Sequence, residues 1–173
     1  DVAMKDLELR GTGNRLGDEQ SGHIEGVGFD LYVRMVSEAV AHVKEPDKQE
    51  ESVVGIDLPI EASIPLDYID SDKLRLEAYQ KLAAAHGEQD LKDLQEELQD
   101  RYGKPPRELD VLFDVARLRE KAKTLGITEI IGQGRNVRVA SIDPQDSVMM
   151  RIARIYPGMQ YRPGTHTLLV PAP

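Results

Sequence analysis

Six glycines, at positions 11, 13, 17, 22, 26 and 28, crowd the stretch from Gly11 to Gly28. Glycine samples left- and right-handed backbone with equal ease, so a run this dense sustains neither helix nor strand and reads mostly as loop. Beyond it Phe29, Tyr32, Val33, Val36, Val40 and Val43 recur at i, i+3, i+4, i+7, i+11 and i+14. That period predicts an amphipathic helix from Asp30, ending near Lys44 because Pro46 biases its neighbour away from helical ψ. Lys44–Ser52 (KEPDKQEES) is charged and has no apolar anchor, which makes it a linker. The chain therefore divides into residues 1–45, a linker at 46–52, and a second domain at 53–173.

The second domain reads as α+β. Val53, Val54, Ile56, Leu58 and Ile60 form a candidate strand, followed by an extended stretch from Ser63 to Tyr68. Ser71 or Asp72 can cap a helix carrying Leu74, Leu76, Tyr79 and Leu82, with Gly87 as its stop. A second helix carries Leu91, Leu94 and Leu98 up to Gly103. Pro105 and Pro106 open a third, with Leu109, Leu112, Val115, Ala116, Leu118 and Leu125 inward. Thr128–Ile131 and Asn136–Ser141 flank Gly132-Gln-Gly134 as a hairpin, and Asp143–Tyr156 forms a fourth helix. A last hairpin joins Gln160–Arg162 to Thr165–Val170 through Pro163-Gly164. The expected architecture is about four helices packed on short, mainly antiparallel strands, preceded by a helix-and-loop segment.

Charge narrows the partners. With 22 basic and 31 acidic residues the net charge is -9, so the chain lacks the basic stripe that grips duplex DNA unaided. The charge is uneven: residues 88–100 are strongly acidic, whereas Arg135, Arg138, Arg151, Arg154 and Arg162 make the last forty residues basic. Such asymmetry favours docking against other protein domains. No apolar run nears the roughly 18 residues that cross a bilayer, so no membrane partner is expected. The opening residues mix both charges, unlike a signal peptide, and the start at Asp1 reads as a piece of a longer chain. The chain has no cysteine, in keeping with a cytoplasmic location.

No catalytic centre is legible. A phosphate-cradling loop needs GxxxxGK[ST], which is missing, and Gly11-Thr-Gly13 is only half of a dinucleotide fingerprint. His23, His42, His86 and His166 lack ligand spacing, so no metal is expected. Ser21 and His23 stand two apart without the elbow that exposes a nucleophilic serine.

The string DLELRGTGNRLGDEQSGHIEGVGFDLYVRMVSEAV, from Asp6 to Val40, is too specific for an ordinary loop. It resembles the translocation motif shared by the RecG branch-migration helicases and the transcription-repair coupling factors, the Mfd family. Downstream, GVGFDLYVRMVSEAV, EELQDRYGKPP and DVARLREKAKTLGI favour the coupling factors. The complete domain that follows the motif points the same way, because RecG ends soon after it. The resemblance implies that Arg10 and Gln20, with Gly11, Gly13 and Gly22, couple ATP hydrolysis to movement on double-stranded DNA. A guanidinium fork and an amide are chemically suited to changing partners between nucleotide states. ATP and Mg2+ would bind motor domains outside this chain, which itself would hold no cofactor and no enzyme activity.

The resemblance further implies that Glu97 and Asp100, just ahead of Arg101-Tyr102-Gly103, contact an N-terminal UvrB-like domain. That contact would hold the protein closed and mask the UvrA-recruiting surface until RNA polymerase is engaged. Two alternatives stay open on the sequence: a RecG-like helicase of branched DNA, and an interaction adaptor with no motor.

Overall fold

The computed structural model of the chain describes residues 28–42 and 53–173. In chain order its elements are α1 (Gly28–His42), β1 (Gly55–Asp57), α2 (Asp72–Ala84), α3 (Gly87–Tyr102) and α4 (Arg107–Leu125). They continue with β2 (Glu129–Gln133), β3 (Asn136–Ala140), α5 (Asp146–Ile155), β4 (Gln160–Arg162), a 3-10 turn (Pro163–Thr165) and β5 (Thr167–Pro171). The class is α+β, as expected. The described residues cluster into two compact units, 28–39 with 61–116, and 40–42 with 53–60 and 117–173.

The first unit is helical. In α1 the buried side centres on Leu31, Tyr32 and Val36, leaving Phe29 and Val33 half-buried. Ser71 caps α2, its Oγ accepting from the Leu74 N–H at 3.3 Å, which satisfies one of the helix's orphan amides. One turn on, Arg75 is 1% exposed. A buried guanidinium needs partners, and Arg75 donates to the Ile69 carbonyl and the Asp72 carboxylate.

The extended stretch expected at Ser63–Tyr68 is not a strand. Pro65 has no N–H for a ladder, and its carbonyl instead accepts from Tyr68 and Ile69 in a turn. The backbone ahead of that turn is pinned elsewhere: the Ile64 N–H donates to the buried Tyr79 hydroxyl at 2.7 Å. In α4, Leu109, Leu112, Val115 and Ala116 are buried as expected. Leu118 and Leu125 are exposed instead, Leu125 by 68%. At 3.6 residues per turn both fall on the side opposite Leu109, whereas the buried Phe113 lies beside it.

The second unit holds a five-stranded sheet in the order β1-β2-β3-β5-β4. β1 runs parallel to β2, and the other three pairings are antiparallel. β1 is shorter than the expected Val53–Ile60 because Pro59 cannot donate to a ladder. β2 and β3 turn back through Gly134-Arg135, with Gly134 at φ 59, the position where a two-residue hairpin turn takes glycine. Register aligns Ile56, Ile130, Val139, Leu168 and Tyr161 in one row across all five strands. Ile56, Ile130 and Leu168 in that row are buried. The other face carries the Arg138–Glu129 ion pair at 3.0 Å. α5 starts at Asp146, not Asp143, since Asp143 precedes Pro144. β5 starts at Thr167 because Pro163–Thr165 close a 3-10 turn ending on left-handed His166.

Candidate interdomain contact at the end of α3

The acidic segment is α3. His86 precedes it, and its backbone N–H donates to Asp90 Oδ2 at 2.9 Å. Glu88 and Asp90 occupy the first turn and Arg101 the last, the arrangement favoured by the helix macrodipole. Leu91, Leu94 and Leu98 are buried on the inner side at i, i+3 and i+7. Gln89, Asp93, Glu96 and Asp100 are exposed on the outer side, with Gln89 donating to Asp93 at 2.8 Å.

The C-terminal end of α3 is held by residues distant in sequence. The Tyr68 hydroxyl lies 3.1 Å from the Leu98 carbonyl and 2.8 Å from the Gly103 carbonyl, so its single proton is shared across the helix end. Its ring packs on Tyr102 with centroids 5.7 Å apart, and the Arg101 guanidinium lies 5.2 Å from the centre of the Tyr102 ring. Partial burial pushes the Tyr68 phenol above its ordinary pKa, with the negative charge of Asp110 and the Tyr102 phenol adding to the effect. The neutral, proton-donating form is thereby favoured. Gly103 stops the helix at φ 88, ψ -163, a region that side-chain-bearing residues avoid, and its N–H bonds the Gln99 carbonyl at 2.9 Å.

The two acids expected to act together have different surroundings. Glu97 is turned toward α2, where Lys81 Nζ reaches its two oxygens at 2.9 and 3.2 Å, with Arg101 at 3.9 Å. Asp100 is exposed and forms no ion pair among the described residues. It also sits in the last helical turn, where the macrodipole presents its negative end. An unpaired carboxylate there violates a local rule, and such violations concentrate at functional sites.

Tyr68 and Lys81 were not legible as members of this arrangement. They lie 35 and 16 residues from their partners Gly103 and Glu97, and no local motif links them. Arg10, Gln20, Gly11, Gly13 and Gly22 lie outside the described residues, as does the expected linker. Among the described residues no group of three or more acidic or histidine side chains converges as a metal site would. No helix of the described residues is long and apolar enough to cross a membrane.

Residues 58–152 match the TRCF domain family. The chain is 45% identical over 184 residues to the transcription-repair-coupling factors of Mycobacterium bovis and Mycobacterium tuberculosis. The alignment covers 99% of this chain and 15% of either relative. The transcription-repair-coupling factor of Staphylococcus haemolyticus is 37% identical over 144 residues, 80% of this chain and 12% of that protein. Among solved structures, the crystal structure of a C-terminal domain of transcription-repair coupling factor superposes with a TM-score of 0.61 at 17% identity. That superposition covers 71% of this chain and 81% of the other, and it establishes likeness of fold.

Proposed function

The chain belongs to the TRCF domain family, and we propose that it is the C-terminal regulatory part of a longer ATP-dependent translocase on double-stranded DNA. In this reading the whole protein displaces stalled RNA polymerase and recruits UvrA for repair. Residues 1–45 convey ATP hydrolysis, performed with Mg2+ in motor domains outside this chain, into movement. The domain behind them docks through the end of α3 on an N-terminal UvrB-like domain and keeps the UvrA-recruiting surface covered.

The observation that carries the docking role is Asp100. It is exposed, it lacks a cation among the described residues, and it stands at the negative end of a helix whose terminus is fixed by Tyr68. A basic surface on a partner domain would relieve both the carboxylate and the dipole. Glu97 contributes less in this reading, because Lys81 already offsets its charge. Acids in such a contact provide register and specificity more than raw affinity.

The test is charge reversal in the longer protein. Asp100→Lys, alone and with Glu97→Lys, is expected to raise UvrA capture in a pull-down, with Asp100→Lys giving most of the gain. Circular dichroism of each variant confirms that the domain remains folded. Folded variants that capture no more UvrA than the parent would rule out this surface as the restraint.

A further inference from the structure

A second surface, distant from α3 in sequence and opposite to it in charge, remains unexplained by this reading. None of the ten residues of α5 is buried. Val148 is 44% exposed, Met150 70%, Ile155 59% and the adjoining Tyr156 44%. Every residue of β3, the middle strand of the sheet, is at least partly exposed apart from its pairing. Middle strands and amphipathic helices normally bury one side each, so this unit leaves apolar surface that the described residues do not cover.

The charges along the outward side of α5 are basic at Arg151 and Arg154, while its one acid, Asp146, stands in the first turn beyond Met150. Arg151 and Arg154 are exposed and make no ion pair among the described residues. By contrast Arg138, in the same unit, is paired with Glu129. At 3.6 residues per turn, Val148 and Ile155 lie along one side of α5 and Arg151 comes next to them. Arg154 and Met150 follow around the helix. The outward side of α5 is therefore an apolar pair, two guanidinium groups and a further apolar side chain, in that order.

We propose that the outward side of α5 is a docking surface for a protein segment that carries carboxylates beside an apolar stripe, such as an acidic amphipathic helix. Four large exposed apolar side chains on and beside one short helix argue for a protein occupant, because a phosphate backbone has no use for Met150 and Ile155. The two unpaired arginines select the sign: each can take a carboxylate in a bidentate, charge-assisted pair. Arginine beside exposed apolar and aromatic groups is also the composition of interaction centres. This surface is independent of the α3 contact, so the occupant need not be the domain that meets Asp100.

The test uses the 173-residue chain, isotopically labelled, titrated with synthetic amphipathic helical peptides of about 15 residues, long enough to form helix. One set carries Glu on the polar side and the other carries Lys at the same positions; a short DNA duplex is the third probe. The Glu peptides are expected to bind and to shift the methyl resonances of Val148, Met150 and Ile155. Arg151→Glu with Arg154→Glu, folded by circular dichroism, should weaken that binding roughly tenfold, the loss of a central interface contact. Ile155→Ser should weaken it without a change in salt dependence. The proposal is overturned if the Glu peptides fail to bind, or if their shifts map elsewhere. It is equally overturned if the Lys peptides or the duplex bind as well, or if the α5 resonances move with protein concentration alone, which would make the occupant a second copy.

Discussion

Tyr79 shows how one side chain can hold a segment that lacks regular structure. It is fully buried, and its hydroxyl accepts the Ile64 N–H at 2.7 Å, tying residues 61–70 to α2. Burial raises its phenol above the ordinary pKa, while the Ile64 hydrogen bond and the nearby Arg75 charge pull the other way. The sign of the linkage follows. The unfolded chain loses the proton near its ordinary pKa of about 10, while the folded chain retains it to higher pH. The folded state then binds more protons, and stability falls as pH rises. Denaturation midpoints should therefore be flat across neutral pH and drop above about pH 10. Tyr79→Phe should lower neutral stability by about 1–2 kcal/mol, through the amide left without its acceptor. It should also flatten the alkaline decline. A decline of the same steepness in Tyr79→Phe would assign it to the other tyrosines.

At the scale of the element, α3 is readable from end to end except for what grips it. Leu91, Leu94 and Leu98 announce its inner side, and Gly103 its stop. What sequence could not supply is that Tyr68 reaches the helix end or that Lys81 takes Glu97, because both contacts require α2 and the Pro65 turn to be in place first. The same helix carries a local conflict, Asp100 at its negative end. Asp100→Asn should therefore stabilise the chain by about 0.3–1 kcal/mol in low salt, with the gain shrinking as salt screens it. Thermal unfolding at two ionic strengths checks this, and an unchanged midpoint in low salt would remove the conflict. α4 gives the opposite lesson. Leu118 and Leu125 read as core because they are leucines in a helical run, but a helix has only one side to bury and they lie on the other.

For the whole molecule, the glycine-rich segment carries the motor half of the proposed function. In the longer protein, Arg10→Ala should leave DNA-stimulated ATP hydrolysis within about twofold while displacement of stalled polymerase is lost, the separation expected when an interaction conveys a conformational change instead of assisting chemistry. Parallel ATPase and transcript-release assays measure the two; displacement at the parental rate would end that assignment. The sequence by itself determined the α+β class, the helices and most of the strands, because apolar period, proline and glycine act within a few residues. It also determined the family, through strings that no local physics explains. Tertiary structure alone decided the order of the sheet and the pinning of the Ser63–Tyr68 stretch by Tyr79. It alone separated Asp100 from Glu97, although both are acids on one helix. Whether a carboxylate is matched or left open depends on which cation the fold brings beside it, and Lys81 comes from another helix.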